Sequence, residues 1–248
     1  MALQTEILII LGIVDILVFA ILLKLKINWW KALGIILVLY SIVMGFLGKV
    51  PALWVLHETI RNLYFHVTMW FAMMTLLTIS LGYSIAYLRG FKREYDVIAT
   101  EAANVAMMFG AVGIVTGMAW ANFTWGEPWP NDPKLNGVAV GMIAYIAYFI
   151  LRASIDEQSK RGRIAAVYNI FAYVMFMVFV NALPRMADDS MHPGQAGNPG
   201  FGGYDLDSGM RAVFYPAVIG WILMGVWLVN VRKRMRELEF KFLQNELD

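Results

Sequence analysis

Seven continuous apolar stretches, at about Glu6–Leu23, Trp30–Leu47, Tyr64–Tyr87, Val97–Ala119, Leu135–Leu151, Ile164–Leu183 and Ala212–Val231, alternate with short polar segments along the chain. A run of about 20 apolar residues spans the hydrocarbon core of a bilayer as an α-helix. Lipid offers backbone groups no hydrogen-bond partner, so only helices and closed barrels cross it. Barrel strands alternate apolar and polar positions, and these runs do not. The pattern therefore predicts an all-α fold: a polytopic membrane helix bundle of about seven transmembrane helices. No internal repeat or linker interrupts it, so 1–248 reads as a single integral membrane domain.

Composition agrees. Hydrophobic residues make up 60% of the chain and charged residues 15%, against roughly 25% charged in soluble domains. The absence of cysteine excludes disulfides, thiolate catalysis, iron–sulfur ligation and a Cys-x-x-Cys-His haem attachment site. Metal chemistry is left to His, Met, Asp and Glu. The 16 methionines are scattered through the spans, which fits packing better than a copper site. A net charge of +2 gives no reason to expect a nucleic-acid partner. Met1–Thr5 lacks a basic region and no small-residue cleavage site follows the first run, so no cleavable signal peptide is expected.

Charge sorts the connections into two sides. Segments 24–31, 88–96, 152–163 and 232–248 hold 15 of the 20 Lys and Arg; the other side holds Lys49, Arg61, Lys134, Arg185 and Arg211. The positive-inside rule puts the first group, and the C-terminal tail, in the cytoplasm. The outer connections, 48–63, 120–134 and 184–211, are longer and richer in aromatics, Gly and Pro, and binding groups concentrate in such loops.

His57, His66 and His192 all fall at or near that outer face. On one continuous helix, the nine steps from His57 to His66 would place them on opposite faces. His66, among Leu63, Tyr64, Phe65 and Val67, is the better ligand candidate of the two, because a partly buried imidazole needs a partner. Between His66 and His192 lies a loop carrying Trp120, Trp125 and Trp129. An interfacial aromatic belt has this composition. A flat platform for a planar ligand has it too, and Pro128, Pro130 and Pro133 with Gly126 supply the stiff presentation that a platform needs. Two imidazoles beside an aromatic shelf suit an iron porphyrin, with Arg61, Lys134 and Arg185 as cations for its propionates.

Trp120…Trp125-Gly126-x-x-Trp129-x-x-Asp132 resembles the tryptophan-rich "WWD" signature of the haem-handling proteins of cytochrome c biogenesis, the CcmC family above all. Arg61-Asn-Leu-Tyr64-Phe-His66-Val resembles the segment with that family's first histidine, and Leu183-Pro184 through Met191-His192-Pro193-Gly194 the segment with its second. The likeness runs from about Trp30 to the C-terminus. It implies that His66 and His192 are axial ligands of haem b, a transiently bound cargo. Trp120, Trp125, Gly126, Trp129 and Asp132 would form the platform beside it. It further implies a bacterial inner-membrane protein that presents haem to a CcmE-type periplasmic chaperone, working with ABC-transporter subunits, and acting as a carrier rather than an enzyme. Three features depart from the pattern: Asn131 stands for a tryptophan, Lys134 for an arginine, and the run Ala187-Asp188-Asp189-Ser190 for tryptophans before the second histidine. The first helix is extra to a six-helix pattern and resembles in topology the family's small single-span partner, whose place it is expected to take.

Other features are expected to be structural. Ala106, Gly110, Gly113 and Gly117 share one helix face and predict close helix approach. Glu101 is expected to hydrogen-bond near the inner end of its helix; Asp15 has no evident partner. The alternative function is the membrane subunit of a b-type cytochrome serving a quinone oxidoreductase, which needs paired histidines at matched depth within the bundle. A permease would show broken helices and a midplane polar site, and the sequence has little of either.

Overall fold

A computed structural model of the chain describes residues 2–24, 28–51, 56–186, 190–192 and 206–246. The helices are α1 (Ala2–Lys24), α2 (Trp29–Leu47), α3 (Leu63–Gly90), α4 (Arg93–Trp125), α5 (Pro133–Ala153), α6 (Gln158–Met177), α7 (Leu183–Met186) and α8 (Ser208–Asn245). A 3₁₀ turn, Glu58–Asn62, leads into α3, and a π-helical turn, Val178–Ala182, joins α6 to the short α7. Among the described residues, six helical stretches are long and apolar enough to cross a bilayer, beginning at Trp29, Glu58, Arg93, Pro133, Gln158 and Ser208. The 23-residue α1 lies against α2. The chain is thus a multi-pass helical bundle, as its hydropathy predicts.

Two helices outrun the predicted spans. α4 continues through Trp120 to Trp125, so the predicted outer loop 120–134 is helix in its first half and turn only from Gly126 to Asp132. α8 has 38 residues, about 57 Å of helix against a hydrocarbon core of about 30 Å. Its excess lies at the end carrying Arg232, Lys233, Arg234 and Arg236, here termed the basic end; the opposite end is the tryptophan end.

Packing in lipid relies on close approach and buried polar contacts rather than on apolarity. The central core joins Met69, Ala72, Met73, Leu76 and Leu77 of α3 to Ala102, Ala103, Ala106 and Phe109 of α4, with Tyr145, Tyr148 and Phe176 behind them. α2 meets α8 where Gly34 faces Leu223 and Gly220 faces Leu37. Inside the bundle the Asn169 amide donates to Ser80 Oγ and Ser84 Oγ at 2.7 and 2.8 Å, and Ser80 Oγ donates to the Ala99 carbonyl at 2.6 Å. At the basic end Arg152 pairs with Asp96 through two hydrogen bonds, and the buried Glu101 accepts from Arg232 and Arg236 of α8. Glu101 therefore ties α4 to α8, as Glu94 does through Lys233, a role added to the expected hydrogen bond, which Asn104 donates to it.

The small-residue face of α4 does more than admit a neighbouring backbone. Gly110, Gly113 and Gly117 are sockets for Met73, Trp70 and His66 of the antiparallel α3. A Cβ built at Gly117 would lie 2.6 Å from Cε1 of His66, closer than any real contact.

Candidate functional site

His66 sits in the first turns of α3, and α4 fixes it. Asn62 of the preceding turn donates from its amide to the Thr116 carbonyl at 2.9 Å, docking the start of α3 on α4. The His66 ring lies on Gly117, with Nδ1 2.9 Å from the Gly113 carbonyl and 3.3 Å from Thr116 Oγ1. A carbonyl only accepts, so Nδ1 carries the proton and Nε2 keeps its lone pair. The indoles of Trp70 and Trp120 stand edge-on to the ring, with centroids at 6.1 and 6.0 Å. Trp120 is itself held by a bond from Nε1 to Thr59 Oγ1 at 3.1 Å.

Gly126 ends α4 in the left-handed region at φ 85°, a conformation that an L side chain enters only with strain. No atom would meet a Cβ there, so the need is conformational. The chain then turns through Trp129 to Asp132, which caps α5 by accepting from Lys134 N at 2.8 Å, with Pro133 at the first helical position. Trp129 Nε1 donates to Asn136 Oδ1 at 3.4 Å, and Asn136 donates to Asn131 Oδ1 at 2.9 Å. Asn131, where the family pattern has a tryptophan, thus staples the turn to α5.

Asp132 also gathers the segment that carries the second histidine. His192 Nδ1 lies 2.9 Å from its Oδ1, and Met191 N and Ser190 Oγ donate to Oδ2 at 2.7 and 3.0 Å. Burial pushes this carboxyl up, but the hydrogen bond and charge of His192, with the amides of Met191 and Lys134, more than offset it and hold it well below the usual carboxylate range. An ionised carboxylate only accepts, so Nδ1 carries the proton, and in the neutral imidazole the lone pair is on Nε2. Trp125 packs edge-on against His192, with centroids 5.1 Å apart.

Both histidines line one partly open cavity of about 270 Å³ at the tryptophan end, together with Trp120, Trp125, Trp129 and Lys134; Trp70, Ile114 and Val138 are among its apolar lining. Five of the seven residues singled out in the sequence therefore share a wall. Gly126 and Asp132, expected in the platform, are absent from that wall: Gly126 shapes the turn, and Asp132 is buried behind His192. His57 is exposed, in a left-handed conformation at φ 44°, and also off the cavity. Of the three outer cations only Lys134 lines it; Arg61 donates to the Gly45 and Gly48 carbonyls and pairs with Glu58, and Arg185 is exposed. Trp70, Gly113, Thr116 and Gly117, which position His66, were not legible as site residues, because the pairing of α3 with α4 is needed to find them. Residues 187–189 and 193–205, including Pro193 and Gly194, lie outside the described residues.

Among the described residues no group of three or more His, Asp or Glu is placed to hold a metal ion. Two imidazoles alone suit a metal whose other coordination positions are already filled, as in a metalloporphyrin, and indole edges and aliphatic side chains suit the face of such a ring. The donor set and lining fit haem.

The model of the family described as heme exporter protein C (CcmC) matches residues 15–241. The cytochrome c biogenesis protein CcsA of Synechococcus sp. (strain CC9605) is 31% identical over 90 residues, 36% of this chain and 30% of that protein. CcsA of Prochlorococcus marinus subsp. pastoris is 30% identical over 90 residues, 36% of this chain and 29% of that protein. The chain thus aligns with only about 30% of the length of these curated relatives. A family match that covers nearly the whole bundle, both histidines and the tryptophan turn between them places this chain in the heme exporter protein C (CcmC) family, whose setting is cytochrome c biogenesis.

Proposed function

We propose that the protein is a haem carrier of cytochrome c maturation, binding haem b between His66 and His192 and presenting it to a CcmE-type periplasmic chaperone. One observation carries the reading. Two histidines 126 residues apart line the same cavity, each with Nδ1 committed to a fixed acceptor and Nε2 left as the donor nitrogen. Metal-bound imidazoles characteristically have this second hydrogen bond. Haem, when bound, would supply an iron for imidazole ligation. His66 and His192 would supply two imidazoles, Trp120, Trp125 and Trp129 an aromatic lining, and Lys134 an ammonium for a propionate.

Asn131 and Asp132 set the turn that presents Trp129, and Gly126 sets the one that ends α4 at Trp125. The charge count supports placing the tryptophan end on the periplasmic side of a bacterial inner membrane, with the tail of α8 in the cytoplasm. ABC-transporter subunits of the same system are the expected membrane partners. The cargo is held and passed on without turnover, so the role is carriage rather than catalysis. A quinol-oxidising cytochrome subunit is less well supported, since His192 lies outside the helices.

The test is purification of the full chain and of His66→Ala and His192→Ala, with haem content read from the Soret band and transfer read on the chaperone. Each substitution is expected to lower haem content and abolish transfer. Normal content and transfer in both variants overturns the assignment.

A further inference from the structure

The two histidines are anchored in unlike ways. His66 belongs to a 28-residue helix, and its ring is held by Gly113 and Gly117 of a second long helix. Withdrawing it means separating α3 from α4. His192 belongs to the segment 190–192, and three groups of that segment converge on one carboxylate: Ser190 Oγ, Met191 N and His192 Nδ1 all reach Asp132 within 3.0 Å. The fourth bond to that carboxylate comes from Lys134 N in the first turn of α5. Asp132 is 1% exposed. A buried carboxylate that accepts four hydrogen bonds offers no surface to a planar ligand. It is a clasp between the start of α5 and the segment that carries His192.

We propose that Asp132 is a positioning residue that latches His192 through residues 190–192, so that the iron–His192 bond is the first to break as haem leaves and the last to form as haem enters, the iron–His66 bond breaking only at final release. The proposal rests on the haem reading above. The step balances simply. At each histidine in turn the coordinate bond breaks, its electron pair returns to Nε2, the proton remains on Nδ1, and the iron keeps its oxidation state. Because the three bonds from the segment meet on one side chain, they are lost together. No comparable single residue holds His66 among the described contacts, where a carbonyl, a hydroxyl and a glycine of α4 share the work.

The experiment uses the full chain in lipid nanodiscs, loaded with haem, and the variants Asp132→Asn and Asp132→Ser. Both keep an oxygen that can cap α5 and neither can accept all four bonds. Haem loss to excess apomyoglobin is followed by absorbance, and axial ligation by electron paramagnetic resonance. Both variants are expected to lose haem roughly 10- to 100-fold faster, the usual cost of removing a residue that orients a metal ligand. Part of the low-spin signal should become five-coordinate high-spin, and added imidazole should restore it. In a His192→Ala background Asp132→Asn should add nothing, whereas in His66→Ala it should add its full factor. Equal acceleration by Asp132→Asn with and without His192 overturns the latch, as does a wild-type dissociation rate in both Asp132 variants. Loss of the latch by either result leaves the haem reading intact. Undiminished haem in both histidine variants removes the haem reading itself.

Discussion

Replacing Gly117 by alanine separates haem ligation from folding. The new Cβ would stand 2.6 Å from His66 Cε1 and 3.1 Å from Nδ1. Relief to an ordinary 3.4 Å contact needs a ring displacement of about 0.8 Å, and functional groups must be held within about 0.5 Å to work. The 2.9 Å bond from Nδ1 to Gly113 cannot survive such a move away from α4, since hydrogen bonds weaken beyond about 3.2 Å. Its loss costs about 1 kcal/mol, more if the N–H is left buried without a partner. Alanine returns up to about 1 kcal/mol of helix propensity, so net stability should change little. The assay is haem titration by Soret absorbance beside thermal unfolding in the same detergent. Gly117→Ala should bind haem at least tenfold more weakly with a nearly unchanged Tm. Gly110→Ala is the control: its Cβ would meet the thioether ends of Met73 and Met142 at 2.7 and 2.9 Å, which are flexible and can shift. Wild-type haem affinity and spectrum in Gly117→Ala would refute the socket argument.

Three further outcomes are expected. Glu101→Ala removes the buried carboxylate shared by Arg232 and Arg236; because both arginines are about half exposed, the loss should be about 1–2 kcal/mol, seen as a Tm lower by about 2–8 °C with haem affinity unchanged. The chain has no cysteine, so a membrane-impermeant maleimide should label Glu127→Cys from the outside of intact spheroplasts and Arg234→Cys only after lysis; the reverse result inverts the topology. The Asp132 carboxyl is held below its ordinary range, so it contributes stability above the unfolded value of about 3.9 and loses it as pH falls further. The Tm difference between wild type and Asp132→Asn should therefore be larger at about pH 5 than at about pH 3.

The spans were legible because a bilayer imposes length and apolarity on every crossing helix. Helix ends were legible only where they coincide with the membrane boundary. α8 continues through Arg232 to Asn245 and α4 through Trp120 to Trp125, since polar and aromatic residues that end a hydropathy run do not end a helix. The glycine face of α4 was visible as a spacing, but its purpose was not: one helix does not say which side chains its partner will insert. Counting cations could not separate Lys134, which lines the cavity, from Arg61, which is consumed by backbone carbonyls. Motif likeness gathered Asp132 with the tryptophans because they are neighbours in sequence. Its working partner lies 60 residues downstream, a separation that no local pattern encodes.

On the proposed function, the unequal anchors also bear on how a carrier can both retain and surrender its cargo. A carboxylate behind a metal-bound imidazole strengthens its hold on the metal more than a neutral carbonyl does, so the proposed iron–His192 bond is the stronger and the iron–His66 bond the weaker. In the proposed haem-bound state the stronger bond lies on the side that opens, and the weaker bond on the side fixed by two helices. Spontaneous loss then requires breaking the better bond first and should be slow. Rapid transfer calls for an acceptor that contacts the 126–132 turn or residues 190–192 and loosens the clasp. The haem-loaded protein should therefore release haem to the proposed CcmE-type chaperone at a rate that rises with chaperone concentration and exceeds passive loss to apomyoglobin at least tenfold. Asp132→Asn should narrow that gap by raising the passive rate. A transfer rate independent of chaperone concentration, equal to the passive one, would mean that the clasp opens unaided and that the acceptor only collects what has already left.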